Sequence, residues 1–302
     1  MAVSQSGRSY VVSYKPQTVI GTPVTGAGGT TLRTLASQGF SLSRAEIQSM
    51  ENRADGFFGA PRKGVKSAPG SYSCELSYLT FDPLMAAFLR SSFAGGVGAM
   101  TPGTTKTFFT FEEYLQDIDL SIQVETVRVL SMGVKVPAAG MVTIDWGLLG
   151  RNAVALAAIS SPSFTTPSLT TVEPMAGIDS VITVPGGAQF SSVDFSATRG
   201  GSVEGLIGTS LSSDVYTANA QGSGSLTGTL EALTLLTTVG SDTATTVSVR
   251  CIDGGGANIT FDLANVQLVD FNAPLGADSA MLFTSKFTFG GATALTITNA
   301  AS

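Results

Sequence analysis

The sequence predicts a mainly β protein: two tandem β-sandwich or barrel modules, each with a flanking helix or helix-like connection, plus long loop arms. Three observations predict it. Apolar and polar residues alternate with period two along several segments, the spacing of half-buried strands. The alternation slips by one residue at two places that a single shift superimposes. The chain is rich in small residues and poor in charge: 13% of its 302 residues are charged against 43% hydrophobic, with 35 glycines. Average globular chains carry about a quarter charged residues. A surface so short of charge is either covered by self-association or dressed in Ser, Thr, Gly and Asn; a secreted β-rich passenger would share the composition.

The first 38 residues are polar and Gly/Thr-rich and read as an N-terminal arm. YVVSYKP offers a short strand, and GTPVTGAGGTTLR (Gly21–Arg33) either remains a free tail or orders on a neighbour. The opening MAVSQSGRSYVVSYKPQ has no continuous apolar core, so no secretory signal is expected and synthesis in the cytoplasm is. No window is apolar for long enough to predict a membrane helix, and membrane insertion is not expected.

The first module is expected over residues 39–160. Gly39–Ile47 alternates weakly and reads as a strand. Residues 50–70 then hold Gly56, Gly59, Pro61, Gly64, Pro69 and Gly70, which break regular structure. Glu51, Arg53, Asp55, Arg62, Lys63 and Lys66 concentrate much of the scarce charge there. The stretch is either a solvated loop or an arm that reaches another subunit. Ser71–Thr80 alternates again, with Tyr72, Cys74, Leu76 and Tyr78 on one side. Asp82 then reads as the N-cap of a short helix with Pro83 at its first position, and Leu84, Met85, Phe88 and Leu89 form its apolar stripe before Gly95 and Gly96 stop it. Ile118, Leu120, Ile122 and Val124 alternate with Asp117, Asp119 and Gln123. Apolar parity then shifts to Val127 and Val129, the signature of a β-bulge. Met141–Leu149 follows as the partner strand.

Residues 161–186, rich in Ser, Thr and Pro, read as a linker, and 187–302 as a second module. Gly224–Leu230 restates Gly70–Leu76, and Phe195-Ser196 restates Phe40-Ser41. Ile259, Phe261, Leu263, Val266 and Leu268 repeat the pattern Leu120, Ile122, Val124, Val127 and Val129, slip included, 139 residues later. Met281 and Gly290 likewise follow Met141 and Gly150 by 140 residues. Chance alternation is common in β proteins, whereas a slip reproduced at one shift argues for duplication.

Several function classes are disfavoured. Without histidine, no Ser-His-Asp, Cys-His or His-based zinc chemistry is available. Glu112 and Glu113 are adjacent on a strand, so they face opposite ways and do not converge on one bond. GGSVEG and IDGGGAN lack phosphate-loop spacing and read as turns. Cys74 and Cys251 have no metal spacing; two buried thiols or one disulfide would both fit. No catalytic, metal or cofactor role is expected. The net charge of −6 disfavours a protein that grips phosphates, but permits an acidic channel through which nucleic acid slides.

The runs SLSRAEIQSMENRAD and RKGVKSAPGSYSCELSYLTFDPLMAAFL resemble the tail tube (major tail) proteins of long-tailed, siphovirus-type bacteriophages, most specifically over Glu75–Leu89 and next over Ile47–Asp55. The FEEY segment and hairpin between Thr110 and Gly150 also fit. The resemblance covers residues 35–150 well and 187–292 loosely. It implies a two-sheet sandwich whose inner strands join those of neighbours around a hollow tube, and a loop that reaches the next ring. Residues 50–70 stand where that stacking loop would be. With two tube domains per chain, it implies trimeric rings with pseudo-sixfold symmetry, or alternatively true hexamers, stacked helically. The implied partners are further copies of the chain, a tape measure protein in the lumen, tail terminator and distal tail proteins at the ends, and viral DNA in transit without sequence-specific binding. The implied place is the virion tail, and the implied role is a conduit for DNA ejection. Asp117, Asp119, Gln123 and Asp262 are candidates to line the lumen, or else face solvent or a neighbour. A capsid decoration, a minor tail component or a pilus-like subunit is the competing expectation.

Overall fold

The structure is a computed structural model that describes residues 10–35, 39–51, 54–92, 95–156, 162–184, 189–229, 243–273 and 282–302. Strands dominate it, as the alternation predicts. The first half contains β1 (Tyr10–Gln17), β2 (Gly26–Ala27), β3 (Thr30–Leu32), β4 (Gly39–Phe40), β5 (Ser43–Ile47), β6 (Arg62–Glu75), α1 (Asp82–Leu89), β7 (Gly98–Met100), β8 (Phe108–Leu115), β9 (Leu120–Pro137), β10 (Thr143–Gly150) and β11 (Asn152–Leu156). Short strands β12 (Phe164–Thr165), β13 (Ser168–Leu169) and β14 (Val181–Thr183) precede β15 (Gln189–Val203), β16 (Val215–Thr229), β17 (Thr245–Ile252), β18 (Asn258–Asn272), β19 (Leu282–Phe289) and β20 (Leu295–Ala300).

One antiparallel sheet runs through both halves in the order β6–β10–β9–β15–β16–β19–β18, with β4 and β5 beyond β6. Two smaller layers cover it. The first is β11–β9–β8–β1–β3–β13, and the second is β7–β20–β18–β17–β14. The long strands β9 and β18 each serve a cover layer with one end and the shared sheet with the other. Aromatic rings fill the space between layers: Tyr72 of the shared sheet stacks on Phe111 of the first cover (6.3 Å), and Phe195 meets Phe261 of the second edge-on (5.4 Å). Such burial of large apolar surface is the main force holding stacked sheets together.

The slip in alternation is a bulge in both halves. Phe109 lies opposite Val127 and Phe111 opposite Val124, so Glu125 and Thr126 crowd one partner residue. Thr245 lies opposite Val266 and Val247 opposite Leu263, which leaves Ala264 and Asn265 in the same position. Thr126 (φ 51°) and Asn265 (φ 53°) both take the left-handed conformation. Asn tolerates it; a β-branched Thr does not without support. That support comes from Gln17, whose Oε1 accepts the Thr126 N–H (2.8 Å), and from two donors on the Thr126 hydroxyl, Gln17 Nε2 and the Gly21 N–H. A second bulge recurs as well: Leu130 is skipped between β9 and β10, and Val269 between β18 and β19.

Several expectations need correction. The N-terminal arm folds back on its own chain from Tyr10 onward: β1 pairs with β8 along its length, because Val12, Tyr14 and Leu32 supply core surface. The 161–186 stretch is no free tether over its described residues. Phe164 and Met175 are buried, and β12, β13 and β14 pair with β2, β3 and β17. The loop of residues 50–70 becomes strand at Arg62, and β6 ends at Glu75 rather than Thr80, with a turn through Tyr78–Thr80. Met281 and Leu230, invoked in the repeat, lie outside the described residues.

Asp82 does not cap its helix. Phe81 holds the N-cap position without a side-chain bond, and Pro83 lowers the need for one because it has no N–H to satisfy. The Asp82 carboxylate turns instead to the second half, where Asn299 Nδ2 donates to Oδ1 (2.9 Å). Burial raises this carboxyl above its ordinary value, while the bonds from Asn299 and the Gly96 N–H oppose the rise. The folded state thus keeps the proton to higher pH than the unfolded chain. This group's contribution to stability is greatest below the ordinary carboxylate range and declines as pH rises through the raised value. Asp82→Asn is therefore expected to gain stability relative to wild type at neutral pH, with the gain shrinking on acidification. Thermal melts of both proteins from about pH 4 to 8 check the sign; a larger loss at neutral than at acid pH would contradict it.

Candidate functional site

The shared sheet has one face in the core and one outside it. On β9, Met132, Val134 and Val136 are buried while Ser131, Gly133 and Lys135 face outward; on β10, Ile144 and Trp146 alternate with Asp145 and Gly147. The pairing register lines up the outward residues across strands. One row runs Thr143, Lys135, Asp194, Ser225, Lys286, Asp270, and the next runs Ser73, Asp145, Gly133, Ser196, Ser223, Thr288. All of these residues except Thr143 and Asp270, at the ends of the first row, line a hollow of about 830 Å³ on that face. Its charges are sparse and largely matched: Lys135 lies 3.0 Å from Asp145 and Lys286 3.9 Å from Asp270, with Asp194 adding a further negative charge. The Asp145 hydrogen bond and charge raise the Lys135 pKa, which keeps it protonated.

Two hairpins project beyond this sheet. The first pairs β5 with the start of β6, Glu46 opposite Lys63 and Ile47 opposite Arg62. Opposite charges at facing positions favour this register. Around its tip Met50 and Phe57 are each 78% exposed and Phe58 56%. The second hairpin joins the end of β15 to the start of β16, Val203 opposite Val215. Its tip is fastened to the first half: the Lys66 N–H donates to the Ser210 carbonyl (2.9 Å), and Arg128 forms a two-pronged bond with the Asp214 carboxylate (2.9 and 2.8 Å). Arg128 is buried and also lies over the Phe108 ring, so it cements the base of this hairpin.

The residues singled out from sequence do not form one group. Asp117 and Asp119 sit in the turn between β8 and β9, at the end of the first cover layer, not as strand alternates; Asp119 accepts the Tyr114 hydroxyl (2.9 Å). Gln123 is buried, its Nε2 donating to Ser163 (3.0 Å). Asp262 is exposed on the second cover layer, where Ser248 donates to it (2.6 Å). Of the charged set, Glu51 and Asp55 belong to the tip of the first hairpin, Arg62, Lys63 and Lys66 to its β6 limb, and Arg53 lies outside the described residues. Sequence reading missed the exposed Met50, Phe57 and Phe58 and the outward face of the shared sheet. That face had a signal in the small residues alternating with Tyr72, Cys74, Trp146, Met132 and Val134.

Glu112 and Glu113 face opposite ways, as two neighbours on a strand must, and both are occupied structurally. Glu112 accepts the amides of Ser163 (2.6 Å) and Phe164 (2.8 Å). Glu113 accepts the Tyr72 hydroxyl and the Phe40 N–H (2.7 Å). Burial raises the Glu113 carboxyl, while its two donors pull it down. Cys74 and Cys251 are separate, buried thiols, each pushed up to about 12 by burial. No group of His, Cys, Asp and Glu suited to a metal occurs among the described residues, nor does any helix there long and apolar enough to cross a membrane.

A protein with projecting hairpins, a small-residue polar face and, among the described residues, strand edges paired on one side only has the parts of an assembly subunit. Comparison with curated proteins gives no match. The family model described as phage tail tube protein matches residues 7–301, nearly the whole length. The chain belongs to the phage tail tube protein family.

Proposed function

We propose that this chain is the repeating subunit of the tail tube of a long-tailed, siphovirus-type phage, and that it assembles with itself into stacked rings enclosing a conduit for DNA. Residues 39–160 and 187–302 act as two tandem tube domains. Three chains then supply six domains to a ring, in preference to six chains. The observation that carries this reading is the continuous shared sheet, whose strand pairings in the second half follow those in the first, bulge for bulge. A tape measure protein would occupy the lumen during assembly, with terminator and distal tail proteins at the two ends. Mass measurement of the soluble ring, with negative-stain microscopy of its stacked form, separates three chains from six; discrete monomers would overturn the ring.

The outward face of the shared sheet replaces Asp117, Asp119, Gln123 and Asp262 as the proposed lumen lining. Ser, Thr and Gly offer no fixed cation to phosphate, and Asp194 and the carboxylate partners of Lys135 and Lys286 oppose adhesion. Asp194→Lys with Ser225→Lys is expected to leave tubes of normal length but to cut infectivity roughly tenfold or more through phosphate contacts. Asp117→Lys with Asp119→Lys, on a cover-layer turn, is expected to have little effect. The reverse ranking would return the lumen to the β8–β9 turn.

A further inference from the structure

Within one chain, β9 and β15 meet edge to edge and join the two halves. Val134 lies opposite Phe195, Gly133 opposite Ser196, Met132 opposite Ala197 and Ser131 opposite Thr198. Each strand of this internal seam has a counterpart elsewhere. β18 pairs with β19 as β9 pairs with β10, down to the skipped residue, Val269 in one and Leu130 in the other. Phe40 lies opposite Gly70 as Phe195 lies opposite Gly224, and Gly70 faces Leu148 as Gly224 faces Phe287. Residues 40–43 therefore stand where 195–198 stand, and 270–273 where 131–134 stand.

Both counterparts keep one edge open. Among the described residues, Phe40 and Ser43 pair only with β6, and Gln267–Asn272 only with β19. Leu42 is 51% exposed, whereas Ala197 in the equivalent place is buried. Phe271 is half-buried against Phe283, whereas Met132 in its equivalent place has no exposure. An apolar pair left uncovered at matching positions of two open edges is a surface lacking its partner.

We propose that these edges are the two halves of one seam, closed between two copies of this chain in the register of the internal seam. Ser43 of one copy lies opposite Asp270 of the next, Leu42 opposite Phe271, Ser41 opposite Asn272 and Phe40 opposite Ala273. The inference rests on the ring reading above. The Ser41 N–H already bonds inward to the Pro69 carbonyl, so the polar groups of Leu42 point outward to receive the new strand. The Phe40 N–H is held by Glu113, so Leu42 anchors the new backbone bonds. Ser41 and Asn272 fall at a facing pair without backbone bonds between them, the closer type of cross-strand pair, within disulfide reach. They also continue the outward polar rows, as Ser196 and Gly133 do in the internal seam.

The test is a full-length chain carrying Ser41→Cys and Asn272→Cys, oxidised mildly after assembly and run without reducing agent. Cys74 and Cys251 are buried with raised pKa values, so they contribute little background. The expected result is a covalent ladder ending at the closed ring, with Ser43→Cys plus Asn272→Cys, two residues out of register, giving little product. Leu42→Asp should yield folded chains, with a wild-type melting profile, that no longer form rings. Wild-type rings whose Ser41/Asn272 variant stays unlinked, or whose Leu42→Asp variant still closes, would overturn the seam and leave the ring reading standing. A wild-type chain that forms no ring would overturn both.

Discussion

Replacing residues 48–61, the tip of the first hairpin, with an Asn-Gly turn is expected to leave rings intact but abolish their stacking into tubes. The two limbs end at Ile47 and Arg62, so a two-residue turn can close them without disturbing the pairing of Glu46 with Lys63. Nothing in the core is removed, because the described tip residues are exposed or half-exposed. What is removed is the apolar set Met50, Phe57 and Phe58 together with Glu51 and Asp55, the surface best suited to dock on another ring. The second hairpin also exposes Leu206 and Ile207, but Lys66 and Arg128 fasten it to its own chain, so the first hairpin is expected to carry the stacking. Stacking contacts should therefore recur once per chain, threefold around a trimer. Sedimentation and negative-stain images check this; tubes of normal length from the shortened chain would refute the role given to the hairpin.

Phe195→Ala is expected to cost about 3–5 kcal/mol, the range for emptying a buried aromatic site, and to lower the melting temperature by roughly 5–15 °C. Phe195 lies in the internal seam opposite Val134, with ring centroids 5.4 Å from Phe261 and 6.4 Å from Phe289. Removing it opens a void at the place where the two halves share one sheet and one core. Phe195→Leu, which keeps most of the volume, should cost less than about 1.5 kcal/mol. Calorimetry would show whether both halves still melt together. An alanine variant within about 0.5 kcal/mol of wild type would mean that this junction is not part of the cooperative unit.

Strands whose two faces see different surroundings were legible in the sequence: Tyr72, Cys74 and Leu76, or Ile259, Phe261 and Leu263, alternate because one side is buried. The bulge at Thr126 and Asn265 was legible for the same reason, since it moves apolar residues to the other parity. The bulge at Leu130 and Val269 was not. The parity does shift there, from Val127 and Val129 to Met132, Val134 and Val136 and from Val266 and Leu268 to Phe271, but the adjacent apolar pairs Val129-Leu130 and Leu268-Val269 blur it. Gly64, Pro69 and Gly70 hid the early start of β6. Proline survives there because its nitrogen faces the two-residue strand β4, where only its carbonyl is used, by Ser41. Asp82-Pro83 has the composition of a helix start, and local rules have no means of seeing Asn299. The assembly surfaces were the least legible part. Charge drew the reading to Asp117, Asp119 and residues 50–70, whereas the outward face of the shared sheet is written in Ser and Gly, which are equally common in loops.

The bond between Asp82 and Asn299 spans 217 residues, and close by Met100 of β7 pairs with Ile297 of β20. A ribosome making this chain delivers the helix long before it delivers the residues that complete the helix's surroundings. Until then a buried carboxylate lacks its amide partner and β7 has no strand beside it. Contacts of such sequence separation form slowly and late. The β18 edge belongs to the same late-made region, so under the proposed seam a nascent chain would hold only one of the two edges. If the proposed seam closes the ring, polymerisation would be timed to the completion of each subunit, and half-made chains would be kept out of the growing tail.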